Sequence, residues 1–167
     1  MLTHCHIDHV GSAQELKQLT NAKVAIHRED ADFVSGKKAI PSPKGAIGVL
    51  FKASSPFFKF RPVEPDITLQ ENDKVGRLTV IHTPGHTLGS ISLYDPERKV
   101  LFAGDTLRFV KGKISGPPER FTLDMHQAIQ SIEKISQLDF DVMLSGHGEP
   151  LKPNASERVK EFYASLK

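Results

Sequence analysis

The stretch His4-Cys5-His6-Ile7-Asp8-His9 places three imidazoles and one carboxylate within six consecutive positions. Histidines packed this closely are unfavourable, because charged imidazoles repel one another and buried neutral ones waste hydrogen bonds. A bound cation removes that cost, so the stretch predicts a metal site. The apolar Met1-Leu2 before it indicates the end of a strand, and Gly11-Ser12 after it indicates the start of a helix. We therefore expect the site on a strand-to-helix loop, where functional side chains are common.

Three further motifs each follow an apolar run with strand character. The runs cover residues 78–81, 100–103 and 140–144. The motifs that follow them are Thr83-Pro84-Gly85-His86-Thr87, Gly104-Asp105-Thr106 and Ser145-Gly146-His147-Gly148. Each motif places one candidate ligand at the carboxyl end of a strand, which is the end of the sheet where α/β proteins bind their ligands.

These four motifs, in this order, resemble the signature of the metallo-β-lactamase superfamily. The resemblance implies an α/β (α+β) fold, the αββα sandwich of that family, with a binuclear metal site. One metal would be held by His4, His6 and His86. The second would be held by Asp8, His9 and His147, with Asp105 bridging the two.

The implied ligands also indicate the chemistry. Imidazole and carboxylate suit two divalent ions, zinc first, with manganese or iron also compatible. Two such cations lower the pKa of a water that they share, which gives a hydroxide nucleophile at neutral pH. The resemblance therefore implies a metal-dependent hydrolase, in which Asp8 is the expected catalytic residue because it would orient the nucleophile and carry its proton.

The details of the motifs favour one part of the family. Asp105 in Gly-Asp-Thr resembles the glyoxalase II, lactonase and ribonuclease Z branches rather than the antibiotic-hydrolysing enzymes. The oxygen-reducing diiron branch has a glutamate where this chain has His6, and Ser90 stands where glyoxalase II usually has a histidine. We expect a small-molecule thioester, lactone or other ester as substrate, as in hydroxyacylglutathione hydrolases. The alternatives are a ribonuclease Z-like phosphodiesterase and a non-catalytic fragment.

Relatives usually have several strands before the first histidine motif, which begins here at His4. We therefore expect an N-terminally truncated sandwich, with residues 1–167 as a single domain. The strands ending at Ala103 and Leu144 would then have apolar faces and edges without cover. An upstream segment or a homo-oligomer would complete the fold.

Composition restricts the partners. Lysine and arginine number 22 against 20 acidic residues, a formal net charge of +2, so a nucleic-acid partner is not expected. The single Cys5 excludes an internal disulfide, and we expect its side chain to be buried behind the site rather than to bind metal. The chain has neither a signal-peptide pattern nor an apolar run of about 18 residues. A cytoplasmic protein without membrane contact is the expectation.

Other segments have weaker signals. Ser12 with Glu15, and Asp124 with Gln127, have the spacing of capping boxes, which predicts helices from about residue 13 to 19 and after residue 124. Residues 23–27 predict a strand, residues 28–33 a helical turn and residues 156–166 an amphipathic helix. Residues 34–66, rich in proline, lysine and phenylalanine, predict a lid-like insertion, with plain packing of its phenylalanines as an equal alternative.

The remaining histidines and cations are assigned conservatively. His27, His82 and His126 are expected to be structural or solvated, and His82 could support the ligand loop. Arg108, Lys111 and Lys113 follow Asp105 closely and could bind an acidic group of the substrate. Solvated surface charge is the favoured interpretation of these three cations.

Overall fold

The computed structural model describes residues 1–41, 43, 45, 48 and 61–167. The helices in that part of the chain are α1 (Ile7–Val10), α2 (Ala13–Thr20), α3 (Arg28–Val34), α4 (Met125–Ser136) and α5 (Ala155–Ala164), and a 3-10 helix spans Glu119–Phe121. The strands are β1 (Ala25–His27), β2 (Ile67–Leu69), β3 (Lys74–Val75), β4 (Leu78–His82), β5 (Ile91–Asp95), β6 (Val100–Gly104), β7 (Arg108–Val110), β8 (Lys113–Ser115) and β9 (Val142–Ser145). The predicted mixed α/β fold is confirmed.

A five-stranded sheet in the order β3-β4-β5-β6-β9 forms the centre of the molecule. Strands β5 and β6 form a hairpin, since they pair antiparallel with Asp95 opposite Val100. Only β6 and β9 pair in parallel within this sheet. Their register places Gly104 beside Ser145, so the residues after both strands emerge together at one edge.

Helices α4 and α5 cover one face of this sheet. The core between them contains Leu101, Ile135, Phe140 and Met143, each at most 1% exposed. Side chains alternate along a strand, so Phe102 lies on the opposite face from Leu101. The alternation explains why neighbouring residues of β6 have such different environments.

The described residues cover the opposite face only in part. The parallel pair β1–β2 packs its Ala25 and Leu69 against Val80, Ile91 and Leu93 of β4 and β5. On the neighbouring strands Phe102 is 36% exposed. Val100, Val142 and Leu144 beside it are half-buried. We call these four apolar residues the β6–β9 strip.

Helix α2 confirms the predicted helix, but its predicted capping box is wrong. The Ser12 side chain makes no cap hydrogen bond, and its φ of −100° and ψ of 3° differ from the extended geometry of an N-cap. The reason is α1, because Gly11 N donates to Ile7 O and the chain enters α2 from a helical turn. The predicted loop over residues 4–11 is therefore partly helical, and no strand is assigned at Met1-Leu2.

The other local predictions fare better. Strand β1 and helices α3, α4 and α5 lie where expected, and the Asp124 side chain accepts from Gln127 N at 3.0 Å. Strands β2, β3, β7 and β8 were not predicted. About half of the predicted lid, including Phe51, Phe57, Phe58 and Phe60, lies outside the described residues. Among the described helices, none is long and apolar enough to cross a membrane.

Candidate metal centre

The four motifs converge at one edge of the molecule. His4 precedes α1, His6 stands at its N-cap position, and Asp8 and His9 lie within it. His86 lies in the loop between β4 and β5, while Asp105 and His147 follow the parallel strands β6 and β9. Gly146 N donates to Gly104 O at 2.7 Å, which fixes these last two loops side by side. The structure thus brings all seven predicted ligand residues together.

His4, His6 and His86 form one group of nitrogen atoms. One ligand atom from each of the three lies within 4.8 Å of the others. His6 Nδ1 is 2.9 Å from His86 Nε2, and the His4 ring centroid is 4.8 Å from that of His86. The first histidine segment thus supplies two of these rings, and the loop after β4 supplies the third.

Asp8, His9 and His147 form a second group on the same scale. His147 Nε2 is 3.0 Å from Asp8 Oδ2 and 3.3 Å from His9 Nε2. Asp105 lies between the two groups, with Oδ1 3.3 Å from His9 Nε2 and Oδ2 3.7 Å from His86 Nε2. His4, His9 and Asp105 form a further group of ligand atoms on the same scale, so Asp105 is in reach of residues from both of the other groups.

Burial keeps the first group neutral. Desolvation lowers the pKa of His86 to about 4, and the neighbouring His6 adds to that shift. Desolvation likewise lowers the pKa of His6 and holds that of His4 well below its usual value, with help from the charge of His9. A neutral imidazole is the form that binds a metal ion.

His9 and Asp105 shift in opposite directions because they interact. Burial disfavours the charged form of each, but their hydrogen-bonding contact outweighs burial. The pKa of His9 is raised and the pKa of Asp105 is lowered as a result. Asp105 therefore stays an anion, which is the form of a carboxylate that binds a metal ion.

Two buried atoms support a cation at this place. His4 Nε2 and Asp105 Oδ1 are shielded from solvent and have no hydrogen-bond partner of good geometry among the described residues. Buried polar atoms are rarely left without a partner, since the desolvation cost is not offset. Nitrogen and carboxylate donors together suit zinc, manganese or iron. The residues fit a divalent ion.

Gly146 shows how closely the centre is packed. A Cβ at this position would lie 2.2 Å from Asp105 Oδ1 and 2.7 Å from His9 Cε1. Both contacts are far inside van der Waals distance, so only glycine allows Asp105 and His9 to approach the loop of His147.

Asp30 is a supporting residue that the sequence did not reveal. It is 0% exposed and accepts hydrogen bonds from Cys5 N at 2.8 Å, Thr87 Oγ1 at 2.7 Å and Gly89 N at 2.8 Å. It therefore ties the first histidine loop to the loop of His86. In the sequence Asp30 lies among the acids of a helical turn, and no pattern distinguishes it from its exposed neighbour Glu29.

The loop of His86 has a second support in the segment before α4. His86 Nδ1 lies 3.2 Å from Thr122 Oγ1, which donates to Pro118 O at 2.8 Å. Leu123 N donates to His86 O at 3.3 Å, and Asp124 N donates to Gly85 O at 3.0 Å. These contacts fix the imidazole in orientation, as partners of metal-binding histidines do.

A cavity of about 580 Å³ opens onto the cluster. The ligand residues His6, Asp8, His86, Asp105 and His147 form part of its lining. Most of the remaining wall is apolar, and two arginines also line it. The lining consists of those five together with Ile7, Ile40, Pro41, Pro43, Arg108, Pro118, Arg120, Phe121, Thr122 and Leu123.

Other singled-out residues lie away from the cluster. Cys5 is fully buried, and its thiol belongs to none of the ligand groups among the described residues. His27 and His82 stack on each other, with centroids 3.9 Å apart, and His82 Nε2 lies 2.9 Å from Leu88 O in the loop of His86. His126 is exposed.

Comparison with known proteins gives the family. The sequence profile described as "Metallo-beta-lactamase superfamily" matches residues 1–147. This chain belongs to the metallo-β-lactamase superfamily. The resemblance found from the four motifs is thereby confirmed.

Several superfamily members are similar in sequence. A probable metallo-hydrolase of Bacillus subtilis, YflN, is 33% identical over 90% of this chain and 64% of its own length. A hydroxyacylglutathione hydrolase of Bartonella tribocorum is 34% identical over 92% of this chain and 49% of its own length. An acyl-coenzyme A thioesterase of Bos taurus, MBLAC2, is 33% identical over 63% and 39%. The chain thus spans less than two thirds of these relatives.

Solved structures agree on the superfamily fold. TTHA1623, solved in a di-iron-bound form, has a TM-score of 0.71 at 24% identity, over 96% of this chain and 74% of its own. TTHA1429 of Thermus thermophilus also has a TM-score of 0.71, at 23% identity, over 98% and 58%. At these identities the likeness establishes the fold alone.

Proposed function

We propose that this chain is a metal-dependent hydrolase with two divalent ions, zinc first among them. The observation that carries the proposal is the position of Asp105 between two separate ligand groups, each drawn from different motifs. His4, His6 and His86 would hold one ion, and Asp8, His9 and His147 the other. Asp105 would bridge them.

Bound ions of this kind supply a water of lowered pKa and polarise the acceptor oxygen of a substrate. The chain's own residues do the rest. Asp8 is exposed at the cavity, with Oδ2 3.0 Å from His147 Nε2, so its second oxygen can orient the attacking water and take its proton. Thr122 and Asp30 hold the ligand loops in place.

The apolar wall of the cavity supports an acyl substrate. Ile40, Pro118 and Phe121 offer carbon surface next to the ligand residues and reduce the access of bulk water. The Bos taurus relative is named an acyl-coenzyme A thioesterase, and the Bartonella tribocorum relative is named a hydroxyacylglutathione hydrolase. We therefore place the substrate among thioesters, lactones and other esters.

A metal and substrate panel tests this function. The purified protein is analysed for bound metal and assayed on a thioester, a lactone and a phosphodiester, each with zinc, manganese or iron supplied. We expect two equivalents of metal, hydrolysis of the thioester or lactone, and loss of activity on chelation that zinc restores. Asp8→Asn should lower kcat by roughly 100-fold or more, as removal of a general base does.

Three results would contradict parts of the proposal. A protein that binds no metal would be a non-catalytic member of the superfamily. Preferential cleavage of the phosphodiester would favour the ribonuclease Z-like alternative. Full activity of Asp8→Asn would remove Asp8 from the catalytic role while leaving the metal centre in place.

A further inference from the structure

Two arginines line the cavity beside the candidate metal centre. Arg108 lies on β7, three residues after Asp105, and Arg120 lies in the 3-10 helix Glu119–Phe121. Neither forms an ion pair with any described residue, whereas Lys111 and Lys113 of the adjacent hairpin lie outside the cavity lining. The favoured expectation of solvated surface charge therefore fits the two lysines but not Arg108.

The position of Arg108 reduces the stability of the folded protein. Its side chain is half-buried, and its Nε is shielded from solvent without a hydrogen-bond partner among the described residues. A buried donor without a hydrogen-bond partner destabilises the folded state, and the cost is larger when the donor belongs to a charged group. The terminal nitrogens of the same guanidinium are not shielded in this way, so an oxyanion in the cavity that binds them would offset the cost of holding the charge half-buried. Arg120 is exposed and stands at the rim.

The acids of the cavity are already engaged. Asp8 lies 3.0 Å from His147, and Asp105 contacts His9, His86 and His147. Both belong to the ligand set, so neither neutralises the arginines. Among the described lining residues, the two guanidinium groups are therefore the cations that remain available to a bound molecule.

We propose that Arg108 and Arg120 bind an oxyanionic group of the substrate, a carboxylate or a phosphate, remote from the bond that is hydrolysed. A guanidinium presents a planar fork of donors that matches the oxygens of either group. Apolar residues of the same cavity lining, such as Phe121 and Ile40, would cover the connecting carbon chain. This inference rests on the function proposed above and narrows its substrate class to acidic acyl esters or thioesters.

Paired probes separate this subsite from the metal centre. Straight-chain dicarboxylates of increasing length and their monomethyl esters are titrated by calorimetry into the zinc-loaded protein. Both members of a pair have one carboxylate for the metal ions, but only the diacid has a second for the arginines. At the matching length we expect the diacid to bind about 10- to 100-fold more tightly than its half-ester. Phosphonocarboxylates of the same length show whether phosphate or carboxylate is preferred.

Variants then assign the preference to residues. Arg108→Gln and Arg120→Gln should each reduce the diacid preference at least several-fold, and Arg108→Lys should retain part of it because the charge remains without the fork. The matched control is Lys113→Gln, which removes one positive charge from the exposed hairpin and should leave the preference unchanged. Zinc content and a thermal melt of each variant show that the centre and the fold persist.

The inference is overturned if no diacid is preferred at any length, or if the preference survives in both arginine-to-glutamine variants. The proposed function is judged separately, by metal content and by turnover of the thioester and lactone. A zinc-loaded protein that prefers the diacid but shows no turnover would support the subsite and contradict the hydrolase. A protein that turns over the thioester or lactone but does not prefer the diacid would support the hydrolase and contradict the subsite.

Discussion

At the residue scale, the ligand histidines depend on a few side chains that do not themselves belong to the ligand set. Asp30, Thr122 and Gly146 each act on one ligand loop, by accepting hydrogen bonds, by orienting an imidazole, or by leaving space. Metal affinity depends on such supporting contacts nearly as much as on the ligands. Asp30 offers the sharpest test.

Replacement of Asp30 by asparagine should weaken both the fold and the metal centre. An amide group cannot accept from all three donors, so Cys5 N, Thr87 Oγ1 or Gly89 N loses its partner in the interior. We expect a loss of about 2–4 kcal/mol in the free energy of unfolding and a roughly 10- to 100-fold loss in zinc affinity. Urea unfolding and competition with a chelating dye measure the two.

Asp32→Asn is the matched control, because Asp32 lies in the same helix and pairs with Lys38 at the surface at 2.9 Å. Its loss should change the free energy of unfolding little, because an exposed ion pair contributes little to stability. Zinc affinity equal to that of the wild type in Asp30→Asn would show that Asp30 does not position the ligand loops.

At the element scale, β1 and α3 meet at a histidine pair with a consequence for stability in acid. His27, 2% exposed, ends β1, and its Nδ1 accepts from Glu29 N at the start of α3. Burial first, and then the charge of His82, lower its pKa from 6.5 to about 4. Between these two values the unfolded chain binds a proton that the folded protein does not.

The protein should therefore lose stability as the pH falls from about 6.5 towards 4, and His27 should contribute about 1–3 kcal/mol of that loss. His27→Asn keeps a cap acceptor but does not titrate, so its unfolding free energy should fall less over this range. Urea unfolding at several pH values, with exposed His126→Asn as control, measures the difference. Equal pH dependence in His27→Asn and the wild type would contradict the assignment.

The elements also show what a sequence can and cannot predict here. The seven candidate ligands lie in four short motifs that follow apolar segments and resemble a known signature, so all seven could be named in advance as candidates. Asp30 has no such signature, because its role depends on contacts that are distant in the sequence. Cys5 lies 25 positions from Asp30 and Thr87 lies 57 positions from it. The capping box at Ser12 failed because a tertiary site imposed the helical turn α1 just before it.

The β7–β8 hairpin is an intermediate case. Lys111 and Gly112 have φ of 50° and 77°, the two-residue turn that joins antiparallel strands most readily. The lysine-glycine pair is a weak signal for such a turn, and the flanking strands have only three residues each. The missed hairpin is also why the sequence did not place Arg108 in the cavity.

At the scale of the whole molecule, the described residues cover the two faces of the central sheet unequally. The adjacent residues Leu101 and Phe102 of β6 differ in exposure for this reason. Leu101→Ala should cost about 2–5 kcal/mol, because its side chain is 0% exposed against α4 and α5. Phe102→Ala, on the β6–β9 strip, should cost less than about 1 kcal/mol. Urea unfolding of the two variants compares the faces directly. Equal costs would mean that the strip is covered in solution.

The β6–β9 strip also bears on the expected association between copies of the chain. An exposed apolar strip on a sheet favours contact with a second apolar surface. We expect light scattering to give a mass above that of one chain, and Phe102→Lys to shift it towards the monomer. A monomeric wild type with a cooperative melt would count against this expectation.

The segment from Pro118 to Asp124 has two tasks, since it forms one wall of the cavity and hydrogen-bonds the backbone on which His86 lies. Ile40, Pro41 and Pro43, which also line the cavity, have no such connection to His86 among the described contacts. Protein engineers who wish to change the specificity of this scaffold should therefore randomise these three positions. A library that includes position 122 would remove the hydroxyl beside the His86 imidazole and so alter the metal centre together with the cavity.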